Sequence, residues 1–143
     1  MADERLVGTW KLVSATSTTS TGERSDTTYG AGPTGFLTYT AAGRMSSVIS
    51  YGGRKPLSFG REGAAQMEEQ AEAFKTSLAY AGRYTLSGEQ VTHHVEVSSI
   101  QNFVNKDLAR SIRFQGQRIT LITPPTPVNG KIQTVELTWE RLA

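Results

Sequence analysis

The sequence predicts a mainly β fold: an antiparallel up-and-down β-barrel of about eight strands with one α-helix. Three observations carry this expectation. Apolar residues alternate with period two through most of the chain, consecutive runs are joined by short glycine-bearing turns, and only one stretch repeats with helical period. There is no alternation of strand and helix, so a parallel βαβ sheet is not expected. At 143 residues the chain suits one domain over 1–143 with a sizeable core.

The first run, Leu6 to Ala15, places Gly8, Trp10 and Leu12 on one face. Thr16 to Thr28 lacks apolar periodicity and is expected to be a loop or a frayed hairpin. Tyr29 to Gly35 is dense in turn formers. Phe36–Thr40 and Met45–Tyr51 then read as a hairpin across Ala41-Ala42-Gly43-Arg44, where Gly43 supplies the positive φ of the turn. From Ala64 to Leu78, Met67, Ala71, Phe74 and Leu78 form an apolar stripe at helical spacing. Glu62, Glu68, Glu69 and Glu72 sit early and Lys75 late, matching the helix dipole, and the stripe is expected to pack on the barrel.

Strands resume at Ala81–Leu86 and Gln90–Ser98 across Ser87-Gly88-Glu89. Ser99 to Asp107 is irregular, with Phe103 at its centre. Leu108–Phe114 and Arg118–Thr123 pair across Gln115-Gly116-Gln117, and the prolines of 124–127 end that strand. Lys131 to Leu142 is the last strand, with Val135, Leu137 and Trp139 in phase.

Composition narrows the function. The chain has no cysteine, so thiol chemistry and disulfides are excluded. A net charge of +2 with scattered lysine and arginine gives no basic stripe, and no nucleic-acid partner is expected. No apolar segment precedes the first strand, and no apolar run reaches the ~20 residues of a membrane helix. The expectation is a cytoplasmic protein with no membrane partner.

Four segments together resemble the bacterial and fungal lipocalin-like domain proteins. These are Gly8-Thr9-Trp10-Lys11-Leu12-Val13-Ser14, the stretch from Gly35 to Ser46, Val91-Thr92-His93-His94-Val95-Glu96, and Leu137-Thr138-Trp139-Glu140-Arg141-Leu142. The resemblance spans nearly the whole chain in the right order. It implies a lipocalin-like (calycin-like) barrel with a helix alongside or capping it. It also implies the company of natural-product pathways, where barrels of this kind bind or rearrange small molecules. Trp10 would plug one end, with Arg141 stacked on its indole.

His93 and His94 are the only histidines and adjoin each other in a strand, so they face opposite ways and cannot chelate one metal. No metal and no other cofactor is expected. Val91, His93, Val95 and Val97 form the apolar face, which points His93 into the cavity. If the other face lined it instead, His94 and Glu96 would sit together as a base and its neighbour. The plainer alternative is a histidine satisfied by a tyrosine or a carbonyl. Arg110 shares the face of Leu108, Ile112 and Phe114, where a charge must be paired or meet a ligand. It would grip a ligand oxygen, or else bridge to Glu96 or Glu136.

Trp10, Phe36, Tyr39, Met45, Tyr51, Tyr84, Phe103 and Trp139 are the candidate ligand contacts, and Tyr80 is a further tyrosine of the same amphipathic kind. Three functional readings follow. The barrel binds a small hydrophobic molecule; or it is a cofactor-free cyclase or isomerase of secondary metabolism using His93 or His94 with Arg110 and Glu96; or it is an assembly protein forming a homodimer.

Overall fold

The computed structural model describes residues 3–58 and 66–143. In chain order the elements are β1 (Gly8–Thr19), β2 (Arg24–Ser25), β3 (Thr34–Tyr39), β4 (Arg44–Ser50), helix α1 (Met67–Lys75) and β5 (Ser77–Ser87). Then follow β6 (Gln90–Ser98), the 3-10 turn η1 (Gln101–Phe103), β7 (Asp107–Gln115), β8 (Arg118–Ile122), β9 (Thr126–Val128) and β10 (Lys131–Arg141). Strands β1, β3, β4, β5, β6, β7, β8 and β10 form an antiparallel series, and β10 pairs back onto β1 to close the barrel. Closure removes the open edges that a flat sheet of this composition would expose. The short strands β2 and β9 extend β1 and β10 at one end.

Alternation decides which side chains enter. On β3, Leu37 and Tyr39 are buried, and on β4, Met45, Ser47 and Ile49. Tyr80 and Tyr84 of β5, Val91, His93 and Val95 of β6, and Ile112 of β7 follow. Ile119 and Leu121 of β8, with Val135 and Trp139 of β10, complete the ring. Two irregularities interrupt this phase. The β1–β10 register shifts between Leu12 and Ser14, so that Trp10 and Leu12 and then Ala15 and Ser17 are buried. The β5–β6 register shifts between Ala81 and Gly82. Past that shift Val97 lies outside, 63% exposed, and does not continue the face of Val91, His93 and Val95.

The end of the barrel at the start of β1 is closed. Arg141 stacks on the Trp10 ring, with Cζ 4.3 Å from the centroid, as the sequence leads one to expect. Its guanidinium also donates to the carbonyls of Val7 and Arg5. Trp10 donates through Nε1 to the Leu6 carbonyl at 2.9 Å, and Arg5 covers the Phe114 ring at 4.3 Å. Gly8 is required here: its φ is +144°, and a Cβ would stand 2.6 Å from Arg141 Nη1.

One local expectation is decided and one needs correction. Of the loop and the hairpin expected from Thr16, the structure has the hairpin. Its β-branched threonines extend β1 to Thr19, which folds back as a hairpin onto β2. Buried Thr16 and Ser17 are satisfied by Asp26 and Thr28. The helix is shorter than the sequence predicts, because Leu78 belongs to β5; Glu62, Ala64 and Ala65 lie outside the described residues. Its apolar stripe does not pack on the barrel: Met67 is 81% and Phe74 51% exposed, and no residue of α1 is buried. Among the described residues no helix is long and apolar enough to cross a membrane.

Candidate functional site

The polar centre of the core is His93. Strand β6 turns it inward between Val91 and Val95, so its imidazole must find partners inside the barrel. It finds two tyrosines from different strands. Tyr39 of β3 meets Nε2 at 2.6 Å, and Tyr80 of β5 meets Nδ1 at 2.7 Å. All three residues are buried. Burial, assisted by the positive charge of Arg110 and then by His94, pushes the His93 pKa down to about 3, so the ring is neutral at physiological pH. Burial likewise pushes the Tyr80 hydroxyl up to about 12 and raises Tyr39 well above the ordinary phenol value.

Arg110 faces the same interior from β7, in phase with buried Ile112. It is half-buried, and its charge acts on Tyr39, Tyr80, His93 and Tyr29. Neither of its proposed carboxylate partners is available. Glu96 is held by Arg44 at 2.6 Å and Arg83 at 3.2 Å, while Glu136 is held by Arg113 at 3.0 Å. Among the described residues Arg110 makes no ion pair, and its one hydrogen bond runs from Nη1 to the Ala109 carbonyl at 2.9 Å.

At the end opposite the Trp10 plug, aromatic residues gather around this centre. Phe103 of η1 meets Tyr80 edge to face, with centroids 6.5 Å apart. Tyr51, just after β4, stacks on Tyr29 at 4.7 Å. The loop carrying Tyr29 is seated by close backbone contact. Gly52 N–H donates to the Tyr29 carbonyl at 2.9 Å, and a Cβ on Gly52 would collide with the Ala31 carbonyl. This loop belongs to the stretch that sequence reasoning left without a role, and Tyr29 was not among the candidate contacts.

The other candidates divide clearly. Tyr84 and Met45 are buried towards the closed end, where Tyr84 packs edge to face on Tyr39 at 4.8 Å and donates to the Thr40 carbonyl. Trp10 forms the plug itself. Trp139 is 1% exposed in the same core cluster as Tyr39 and Tyr80, and its Nε1 has no hydrogen-bond partner among the described residues. Phe36 is corrected: it stands three residues from Tyr39, hence on the opposite face, and is 51% exposed on the outside. His94 and Glu96 are also corrected, because their face of β6 is the outer one. His94 Nδ1 lies 2.8 Å from Asp107, and Glu96 joins Arg44 and Arg83. A separate concavity of about 560 Å³ lies between residues 52–58 and α1; it contains none of the His93 cluster.

A closed eight-stranded antiparallel barrel, plugged by a Gly-x-Trp strand under an arginine, defines a lipocalin-type barrel. Residues 7–142 match the family described as the lipocalin-like domain, and the chain belongs to that family. It is also similar to the 4'-hydroxy-3'-methoxypropiophenone carrier protein ppsC of Aspergillus oryzae (strain ATCC 42149 / RIB 40). The two are 34% identical over 84 residues, covering 52% of this chain and 76% of that protein.

Proposed function

We propose that the barrel binds a small, largely apolar molecule, with its polar end at the Tyr39–His93–Tyr80 relay and Arg110. The observation that carries this reading is Arg110 itself. A half-buried guanidinium with no acidic partner among the described residues is costly in an apolar interior, and a bound ligand offsets that cost. Phe103, Tyr80, Tyr29 and Tyr51 supply aromatic wall, which suits a mostly apolar pocket with a few fixed polar groups. The carrier name of the A. oryzae relative supports the same reading, since a propiophenone pairs an aromatic body with oxygen substituents. Native mass spectrometry of protein purified from its own host tests it. A retained small molecule that is lost from Arg110→Gln is the expected result; wild-type protein that stays empty across a panel of aryl ketones would refute it.

A second reading is a cofactor-free isomerase or cyclase, supported by the relay as a proton path between two hydroxyls. With its pKa near 3, His93 is too weak a base to remove a proton at neutral pH by itself. Binding therefore carries more weight. A change in the mass or ring pattern of the retained molecule on incubation would favour the catalytic reading.

A further inference from the structure

The protons of the relay can be counted. Neutral His93 carries one N–H, and Tyr39 and Tyr80 each carry one O–H. Two of these three protons fill the two hydrogen bonds to the imidazole, one donated by a tyrosine and one donated by the ring. The third belongs to whichever tyrosine accepts from the ring, and neither hydroxyl has another partner among the described residues. One buried O–H is left to donate.

Two other groups add unused donors, one half-buried and one fully buried. Arg110 carries five N–H donors and directs one to a carbonyl. The Trp139 indole N–H, fully buried in the same core cluster as Tyr39 and Tyr80, meets no acceptor among the described residues. No buried side-chain acceptor in the described residues lacks a partner. Among the described residues the unused buried side-chain N–H and O–H donors therefore meet no charged acceptor in the interior.

Among the described residues, carboxylates do not redress this balance. Asp107 of β7 itself is turned to His94, Glu96 of β6 to Arg44 and Arg83, and Glu136 of β10 to Arg113, all at the outer surface. The titratable groups on which the Arg110 charge acts are His93 of β6, Tyr39 of β3, Tyr80 of β5 and Tyr29 of the loop before β3. None of them is negatively charged near neutral pH.

We infer that the barrel selects ligands by their oxygen acceptors and holds acidic phenols and enols as their anions, with the oxyanion between Arg110 and the spare tyrosine hydroxyl. This rests on the binding reading above and adds the charge state of the ligand to it. A positive guanidinium and a neutral O–H donor both favour the ionised oxygen over the protonated one, which would bring a further donor into a site that already has too many. A neutral ether of the same shape keeps the apolar contacts and loses this preference.

The test uses two probes, 4-hydroxyacetophenone and its methyl ether 4-methoxyacetophenone. The phenolate of the first absorbs at longer wavelength than the phenol, so its ionisation is read directly in the bound state. The expected result is a bound phenol pKa lowered by at least about one unit, a tenfold preference for the anion. In Arg110→Gln the pKa shift should shrink and the preference for ionised 4-hydroxyacetophenone over 4-methoxyacetophenone should be lost, with an unchanged far-UV circular dichroism spectrum reporting an intact barrel. A bound pKa equal to or above that of unbound 4-hydroxyacetophenone would overturn the inference and leave the binding reading standing. Failure of both probes to bind wild type would overturn the two together.

Discussion

His93 has both ring nitrogens committed to tyrosines, and its burial ties stability to pH. Its pKa falls from 6.5 to about 3 on folding, so the unfolded chain takes up a proton that the native protein refuses. Stability is then complete above pH 6.5 and declines as pH falls towards 3. Between pH 6.5 and 4.5 the decline should be about 2 to 3 kcal/mol by urea unfolding. His93→Leu should be less stable at pH 7 yet nearly flat across that interval; an unchanged slope would remove His93 as its source. Tyr39→Phe or Tyr80→Phe deletes one buried hydrogen bond and strands a ring nitrogen, so each should cost about 1 to 3 kcal/mol in the same assay. The inward turn of His93 was legible from the apolar phase of Val91 and Val95. A tyrosine as its partner was among the expectations; which tyrosines was not legible, because Tyr39 and Tyr80 lie 54 and 13 residues away on other strands. Arg110 was legible as a charge on an apolar face, and the structure removes both of its proposed carboxylate partners. The choice of Phe36 beside Tyr39 broke the period-two rule within a single strand.

The elements differ in how firmly they are held. The Trp10 plug ties the N-terminal segment to β10 through one arginine, and Gly8 clears the space for it. Arg141→Met should lower stability by about 2 to 4 kcal/mol, seen as a fall in Tm, through loss of the cation–π contact and charged hydrogen bonds. Helix α1 behaves oppositely. With Met67 and Phe74 exposed, replacing both by glutamate should shift stability by less than about 0.5 kcal/mol. A larger loss would mean that the stripe is covered in solution. Its helical period was plain in the sequence; a period, however, reports that a segment is amphipathic and not what it rests on. The Tyr29 loop lacked any periodic signal, since its place is set by backbone contact with Gly52. Gly52→Ala should unseat it and weaken ligand binding while the barrel's far-UV circular dichroism is unchanged.

At the scale of the whole molecule, the alternating pattern suffices for a barrel because each strand has one face that must leave water and closure satisfies all of them at once. The bulges at Leu12/Ser14 and Ala81/Gly82 are what the pattern could not show: each resets which face of a strand enters the core, as Val97 illustrates. The result is a largely apolar interior whose polar centre is the His93 cluster, and it is there that the proposed ligand meets the protein. The two histidines provide the measurement, since one lies inside at that cluster and the other outside against Asp107. Imidazole ¹⁵N resonances should be followed during titration with 4-methoxyacetophenone at pH 7. Saturable shifts at His93 with His94 unmoved are the predicted result; shifts confined to His94, or none at either ring while the ligand demonstrably binds, would contradict the account.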